Sequence, residues 1–171
     1  MIEREGAITF KGDPLTLLGE PISEGEDARP FTLTATDLSA KSLDDFKGKV
    51  IILSTVPSLD TSTCSVQTKR FNEAAGQLGD DAVVLTVSMD LPFAQQRWCG
   101  NEDADNIVPL SDYKDHQFGL GYGLRIKELG LIARSVSVID KSGKVVHHEL
   151  VKEVSEEPDY DAALEAARSA S

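Results

Sequence analysis

Val50-Ile51-Ile52-Leu53-Ser54-Thr55-Val56-Pro57-Ser58-Leu59-Asp60-Thr61-Ser62-Thr63-Cys64-Ser65-Val66-Gln67 is the stretch that decides how this chain folds. The apolar run Val50–Leu53 has the length and β-branched content of a buried strand. Gln67–Leu78 has the spacing of an amphipathic helix. Cys64 therefore stands where a central strand hands over to a helix, in or just before the first helical turn. Backbone N–H groups there have no partners inside the helix, and the dipole favours an anion. A thiol in such a place loses its proton more easily, and the thiolate is the reactive form. Thr61 lies one turn before Cys64, and its hydroxyl can donate to one atom while accepting from another. Pro57 fixes the start of the loop and has no N–H to compete for the sulfur.

Pro57, Thr61 and Cys64 together give Pro-x-x-x-Thr-x-x-Cys, and Pro-Ser-Leu-Asp-Thr-x-x-Cys resembles the active-site loop of peroxiredoxins. Three further stretches resemble the bacterial thiol peroxidase branch of that family. They are Leu91-Pro92-Phe93-Ala94-Gln95-Gln96-Arg97-Trp98-Cys99-Gly100, Gly130-Leu131-Ile132-Ala133-Arg134 and Glu157-Pro158-Asp159-Tyr160. They lie in the expected order and cover nearly the whole chain. The resemblance implies a thioredoxin-like α/β fold and a peroxidase that takes hydrogen peroxide and organic hydroperoxides. It implies that Cys64 attacks the peroxide, that Thr61 and Pro57 shape the loop around it, and that Arg134 stands beside it. A guanidinium has a permanent charge and a fork of donors suited to an anion or a peroxide oxygen. It further implies that Cys99 resolves the Cys64 sulfenic acid as a disulfide within one subunit. A thioredoxin-like reductant then resets the pair, and similar proteins form homodimers. No cofactor is expected.

The 171 residues suit one domain with a sizeable core, here 1–171 with residues 1–19 as an N-terminal hairpin extension. Hydrophobic residues at 40% and charged residues at 27% are ordinary for a globular protein. The net charge of −12 argues against nucleic acid or an anionic membrane as partner. No apolar stretch approaches the length of a membrane-spanning helix. Met1-Ile2-Glu3-Arg4-Glu5-Gly6 lacks the basic-then-apolar order of a signal peptide, so a cytoplasmic location is expected. In that compartment two cysteines read as redox-active more readily than as a permanent staple.

The chain alternates strand and helix signals. Ala7–Phe10 and Leu15–Leu18 flank the turn Lys11-Gly12-Asp13-Pro14, which predicts a hairpin. Glu20–Arg29 reads as a surface loop, Phe31–Thr36 as a strand and Ser42–Phe46 as a short helix. The helix around Cys64 should run from about Ser62 to Leu78 and stop at Gly79-Asp80. Ala82–Met89 reads as a second central strand, parallel to the first. Pro92–Arg97 starts a short helix with Cys99 at or just past its end. Ile107–Leu110 is a short strand, and Asp115–Leu120 a helical turn before the glycine-rich loop Gly119–Gly123. Arg134–Asp140 and Lys144–Val151 form a hairpin around Lys141-Ser142-Gly143. Pro158–Ala170 closes the chain as a helix.

Each functional reading has a plainer rival. Cysteine is often a small buried hydrophobe, and on composition alone that describes Cys99. Thr61 can serve as the helix N-cap. Arg134 outside the family context would be a surface ion-pair partner. Asp60 reads as a capping or loop residue, since a carboxylate beside a thiolate opposes its charge. His147 and His148 read as surface residues, because no cysteine or carboxylate accompanies them at metal-ligand spacing. Leu59, Val66 and Phe93 are apolar residues near the loop that would favour organic hydroperoxides. A redox-sensing or protein-binding module using the same two cysteines, and an inert thioredoxin-like domain, remain open on sequence.

Overall fold

In the computed structural model, which describes residues Met1–Ser171, the chain starts with a hairpin of β1 (Glu3–Phe10) and β2 (Asp13–Leu18). Lys11 and Gly12 form its two-residue turn, with φ of 51° and 85°. Positive φ at both turn positions matches the right-handed twist of the flanking strands. The turn is thus shorter than the expected Lys11–Pro14: Asp13 and Pro14 already pair with Phe10 and Thr9.

After the loop predicted over residues 20–29 come β3 (Thr32–Ala35), β4 (Ala40–Ser42), a 3-10 turn (Leu43–Phe46) and β5 (Val50–Thr55). Then follow α1 (Ser62–Leu78), β6 (Ala82–Ser88), α2 (Pro92–Asn101), β7 (Ile107–Ser111), α3 (Gln117–Gly121) and β8 (Arg125–Ile126). The chain ends with β9 (Ser135–Ile139), β10 (Val145–Leu150) and α4 (Tyr160–Ala170).

Seven strands form one mixed sheet in the order β10-β9-β5-β6-β7-β3-β4. β5 runs parallel to β6, and β6 to β7. β9 pairs antiparallel with β5 on its other side. β1, β2 and β8 form a separate three-stranded sheet. This is the thioredoxin-like α/β arrangement that the resemblance implies, and the alternating strand and helix signals agree with it.

β5 reads as an unbroken apolar run because both of its faces are covered. Ile51 and Leu53 pack on one side with Leu85, Val87, Leu110, the hairpin residues Ile8 and Leu17, and Phe118 and Tyr122. Val50 and Ile52 pack on the other side with Val84, Val136, Val138, Phe71 of α1, Trp98 of α2 and Ala163 of α4. Cys64 belongs to this second cluster, under the helices. No helix is long and apolar enough to cross a membrane.

Three expectations are corrected. β4 and β8 are strands that the pattern does not announce: they have three and two residues, too few for an alternation to show. α2 continues to Asn101, so Cys99 lies inside the helix rather than at its end. Trp98 anchors that last turn in the core, 6% exposed, and Glu102 closes it by donating its N–H to the Trp98 carbonyl. α3 runs on to Gly121, past the expected end at Leu120 and into the expected loop, with Gly119 inside it. Gly119 is held there by the Asp112 carboxylate, which accepts its N–H at 2.9 Å.

Candidate active site

β5 ends in two polar residues that have no contact with water, Ser54 and Thr55. A buried hydroxyl needs a partner, and both have one. Thr55 Oγ1 donates to the Ala133 carbonyl at 2.7 Å, and Ser54 Oγ accepts from Gln67 Nε2 at 2.8 Å. The C-terminal end of the strand is therefore tied to the segment before β9 and to the second turn of α1.

Between β5 and α1 the chain turns through Pro57, which is buried, to Thr61. Asp90, just after β6, holds this turn: its carboxylate accepts from Ser58 Oγ at 2.7 Å and from the Leu59 N–H at 2.8 Å. Thr61 is the N-cap of α1. Its hydroxyl accepts from the Cys64 N–H at 3.4 Å and donates to the Ser58 carbonyl at 3.1 Å. Asp60 is not a cap: it faces solvent and pairs with Arg97 of α2 at 2.8 Å.

Cys64 lies in the first turn of α1 with 0% of its surface exposed. Arg134, immediately before β9, the neighbour of β5, reaches it and is itself 1% exposed. Its guanidinium is saturated on three sides. Nε donates to the Val154 carbonyl at 3.0 Å, Nη1 to Gln67 Oε1 at 2.9 Å, and Nη2 to Cys64 Sγ at 3.2 Å. No carboxylate pairs with it. A buried charge needs a counter-charge or a pKa that removes it, and arginine does not give up its proton. Of the three acceptors, only the sulfur can be negative.

Gln67 is the residue that the sequence reading leaves out. It is fully buried, and its amide is fixed in one orientation: oxygen toward Arg134, nitrogen toward Ser54. Its position three residues after Cys64 puts it on the same helix face, which is the signal that points to it. Asp90 carries no such signal, because its partners lie on another element.

Cys99 is half-buried in α2 and packs against the same core cluster as Cys64, without a hydrogen bond between them. Both thiols are free. Burial, helped by the nearby Asp105 carboxylate, pushes the Cys99 thiol up to about 11. It is protonated at neutral pH for as long as α2 stays folded. Leu59 is 2% exposed and is part of the core, whereas Val66 and Phe93 are 45% and 62% exposed. His147 and His148, expected at the surface, are partly buried. The His148 ring bonds to Ser137 Oγ at 2.8 Å, and burial lowers its pKa to about 4.

The Redoxin family model matches residues 23–164, most of the chain. The chain belongs to the redoxin family. Within it, this redoxin is similar to the thiol peroxidase of Bacillus subtilis, 51% identical over 162 residues that cover 95% of this chain and 96% of that one. It is 52% identical to the thiol peroxidase of Streptococcus pneumoniae, over 95% of this chain and 99% of that one. Among solved structures, a peroxiredoxin-like protein from Aquifex aeolicus superposes on this redoxin with a TM-score of 0.90 at 36% identity, covering 98% of this chain and 99% of that one. These identities place the redoxin in the thiol peroxidase group, in agreement with the resemblance carried by its motifs.

Proposed function

We propose that this protein is a thiol-dependent peroxidase with Cys64 as its nucleophile, reducing hydrogen peroxide and organic hydroperoxides. The observation that carries the reading is the buried guanidinium of Arg134 at 3.2 Å from Cys64 Sγ, with no carboxylate to balance it. The Cys64 thiolate attacks the terminal oxygen of the hydroperoxide. An S–O bond forms and the O–O bond breaks. The leaving oxygen takes a proton and departs as water or an alcohol, while the sulfur becomes a sulfenic acid. Arg134 and the first N–H groups of α1 face the charge that moves from sulfur to oxygen, which is where fixed donors lower a barrier. The Thr61 hydroxyl keeps one lone pair free to accept the peroxide O–H, and it can donate to the peroxide only after it turns its proton away from the Ser58 carbonyl.

Cys99 then attacks the sulfenic sulfur. An S–S bond forms, the S–O bond breaks, and hydroxide leaves as water after protonation. Cys99 needs α2 to loosen for two reasons. Its sulfur must approach Cys64, and its proton leaves more easily once burial is relieved. A thioredoxin-like dithiol restores both thiols by exchange and is itself oxidised to a disulfide. Exposed Val66 and Phe93 are apolar surface on the helices that carry the two cysteines, which suits organic hydroperoxides. A homodimer, which the resemblance of the motifs implies, and a cytoplasmic setting belong to the same proposal for this chain.

Reduced protein mixed with one equivalent of cumene hydroperoxide, followed by thiol trapping and intact mass, tests the mechanism. Loss of both thiols in a monomeric chain is expected. Two free thiols after minutes overturn the peroxidase reading, and a covalent dimer overturns the intrasubunit disulfide. Turnover with thioredoxin and its reductase separates an enzyme from a one-shot sensor.

A further inference from the structure

Arg134 is aimed at Cys64 by the segment Val151–Ser155, which wraps around it. The Val151 N–H donates to the Arg134 carbonyl at 3.0 Å, and the Val154 carbonyl accepts from Arg134 Nε at 3.0 Å. The Ser155 carbonyl accepts from Thr63 Oγ1, one residue before the nucleophile, at 3.3 Å. This segment follows β10 and belongs to no helix or strand of the main sheet. It has little regular structure of its own to hold it.

What holds it is the N-terminal hairpin. The Thr9 N–H donates to the Lys152 carbonyl at 2.7 Å, and the Val154 N–H donates to the Thr9 carbonyl at 2.8 Å. Between these two bonds stands Glu153, whose carboxylate gathers four donors. Thr9 Oγ1 and the Gly12 N–H reach Oε1, each at 3.0 Å. The Ser155 N–H reaches Oε2 at 2.8 Å, and the Ser155 hydroxyl joins it there. Two donors come from the hairpin and two from the segment, so the carboxylate clasps one onto the other. The peptide it clasps carries the carbonyl that orients Arg134.

We propose that Glu153 is a positioning residue for peroxide reduction, fastening the hairpin to the segment that aims the Arg134 guanidinium at Cys64. The inference rests on the peroxidase reading of Cys64 and extends it to a residue that touches neither sulfur nor substrate. Hydrogen bonds from Ser155 above all, with those from Gly12 and Thr9, hold the Glu153 carboxyl down at about 2, so the clasp is intact at every pH where the enzyme would work. Replacing Glu153 by Gln turns one acceptor oxygen into a donor and releases either the hairpin pair or the Ser155 pair. Replacing it by Ala releases all four.

The test is a cycle of Glu153→Ala and Arg134→Ala, singly and together, with the rate of Cys64 oxidation by cumene hydroperoxide read from Trp98 fluorescence. Displacing a charged group by about an ångström costs roughly ten- to a hundred-fold in rate, and that range is expected for E153A, with a smaller loss for E153Q. KM for the thioredoxin-like reductant should not change. In the R134A background, E153A should add no further loss. E153A oxidising at the wild-type rate, or with the same extra loss in both backgrounds, overturns the inference while leaving the peroxidase reading standing. Wild-type protein that keeps both thiols overturns both. If E153A does not fold, the same cycle with Thr9→Val and Ser155→Ala decides the matter, since each removes one donor and leaves the carboxylate in place.

Discussion

Arg134→Ala removes the one permanent charge beside Cys64 Sγ. Loss of a donor aimed at developing charge slows a reaction by roughly a hundred- to a thousand-fold, and stopped-flow oxidation by hydroperoxide should show that loss in a protein with native circular dichroism. Gln67→Leu should act on both stability and rate. It strands Ser54 Oγ and one face of the guanidinium in a dry interior, at about 1–3 kcal/mol for the orphaned groups, measurable as a shift in the urea midpoint. Cys99 gives a third expectation. With Cys64→Ser to isolate it, iodoacetamide labelling of Cys99 should keep rising about ten-fold per pH unit past pH 9 toward about 11, because burial holds the thiol protonated. A plateau near the ordinary thiol value would mean that α2 is open in solution. At this scale the sequence is uneven. Thr61 and Cys64 share one helical turn, so local spacing alone relates them. Arg134 lies 70 residues from Cys64, and nothing but the likeness of its surrounding motif relates the two before the fold is known.

At the scale of elements, β10 carries an acid-sensitive joint. His148 sits in the β9–β10 pair against Ser137, with its pKa lowered to about 4, chiefly by burial. The unfolded chain takes up this proton near the ordinary value of about 6.5, and the folded chain only near 4. Between those values the unfolded state binds more protons, so stability falls as pH drops through that window and is flat in this term above it. The loss is on the order of 2–3 kcal/mol, and His148→Gln should flatten the dependence of the urea midpoint on pH between 4 and 6.5. The sequence does not reveal this burial, because Val146-His147-His148-Glu149 looks like a solvated edge. The edge is covered instead by the loop after the hairpin, whose Glu24 carboxylate accepts the His148 N–H at 3.2 Å. Elements with a strong signal of their own, the apolar runs of β5 and β6 and the amphipathic period of α1, are legible. β4, β8 and the last turn of α2 exist because of what they pair with or pack on, and that information lies outside their own residues.

Taken whole, the molecule is a sheet with its chemistry on one side and its N-terminal hairpin on the other. Leu17 of β2 is fully buried in the cluster that backs Ile51 and Leu53 of β5. Leu17→Ala should cost about 2–5 kcal/mol and lower the melting temperature of the entire chain in one transition, since both core clusters share the strand. Two separate transitions would mean that residues 1–19 fold independently of the rest. The alternating order of strands and helices makes the sheet's parallel centre legible from sequence. The attachment of the hairpin is not legible, because it depends on side chains such as Glu153 and Thr9, which are ordinary polar residues in their local context.

Gln67 stands where a glutamate would have met Arg134 with a charge of its own. An amide brings no charge, which leaves the sulfur as the one acceptor of the three that could balance the guanidinium. On the proposed peroxidase reading, Cys64 reacts as the thiolate and ends as an uncharged sulfenic acid or disulfide, so oxidation would leave the buried guanidinium without a counter-charge, which is costly by several kcal/mol. That reading makes the site an electrostatic latch, held shut by the reduced sulfur and pushed toward opening by its oxidation. Amide hydrogen exchange over residues 58–68 should therefore quicken on oxidation even when Cys99→Ser prevents a disulfide. Gln67→Glu, by supplying a standing negative charge, should keep that segment shut.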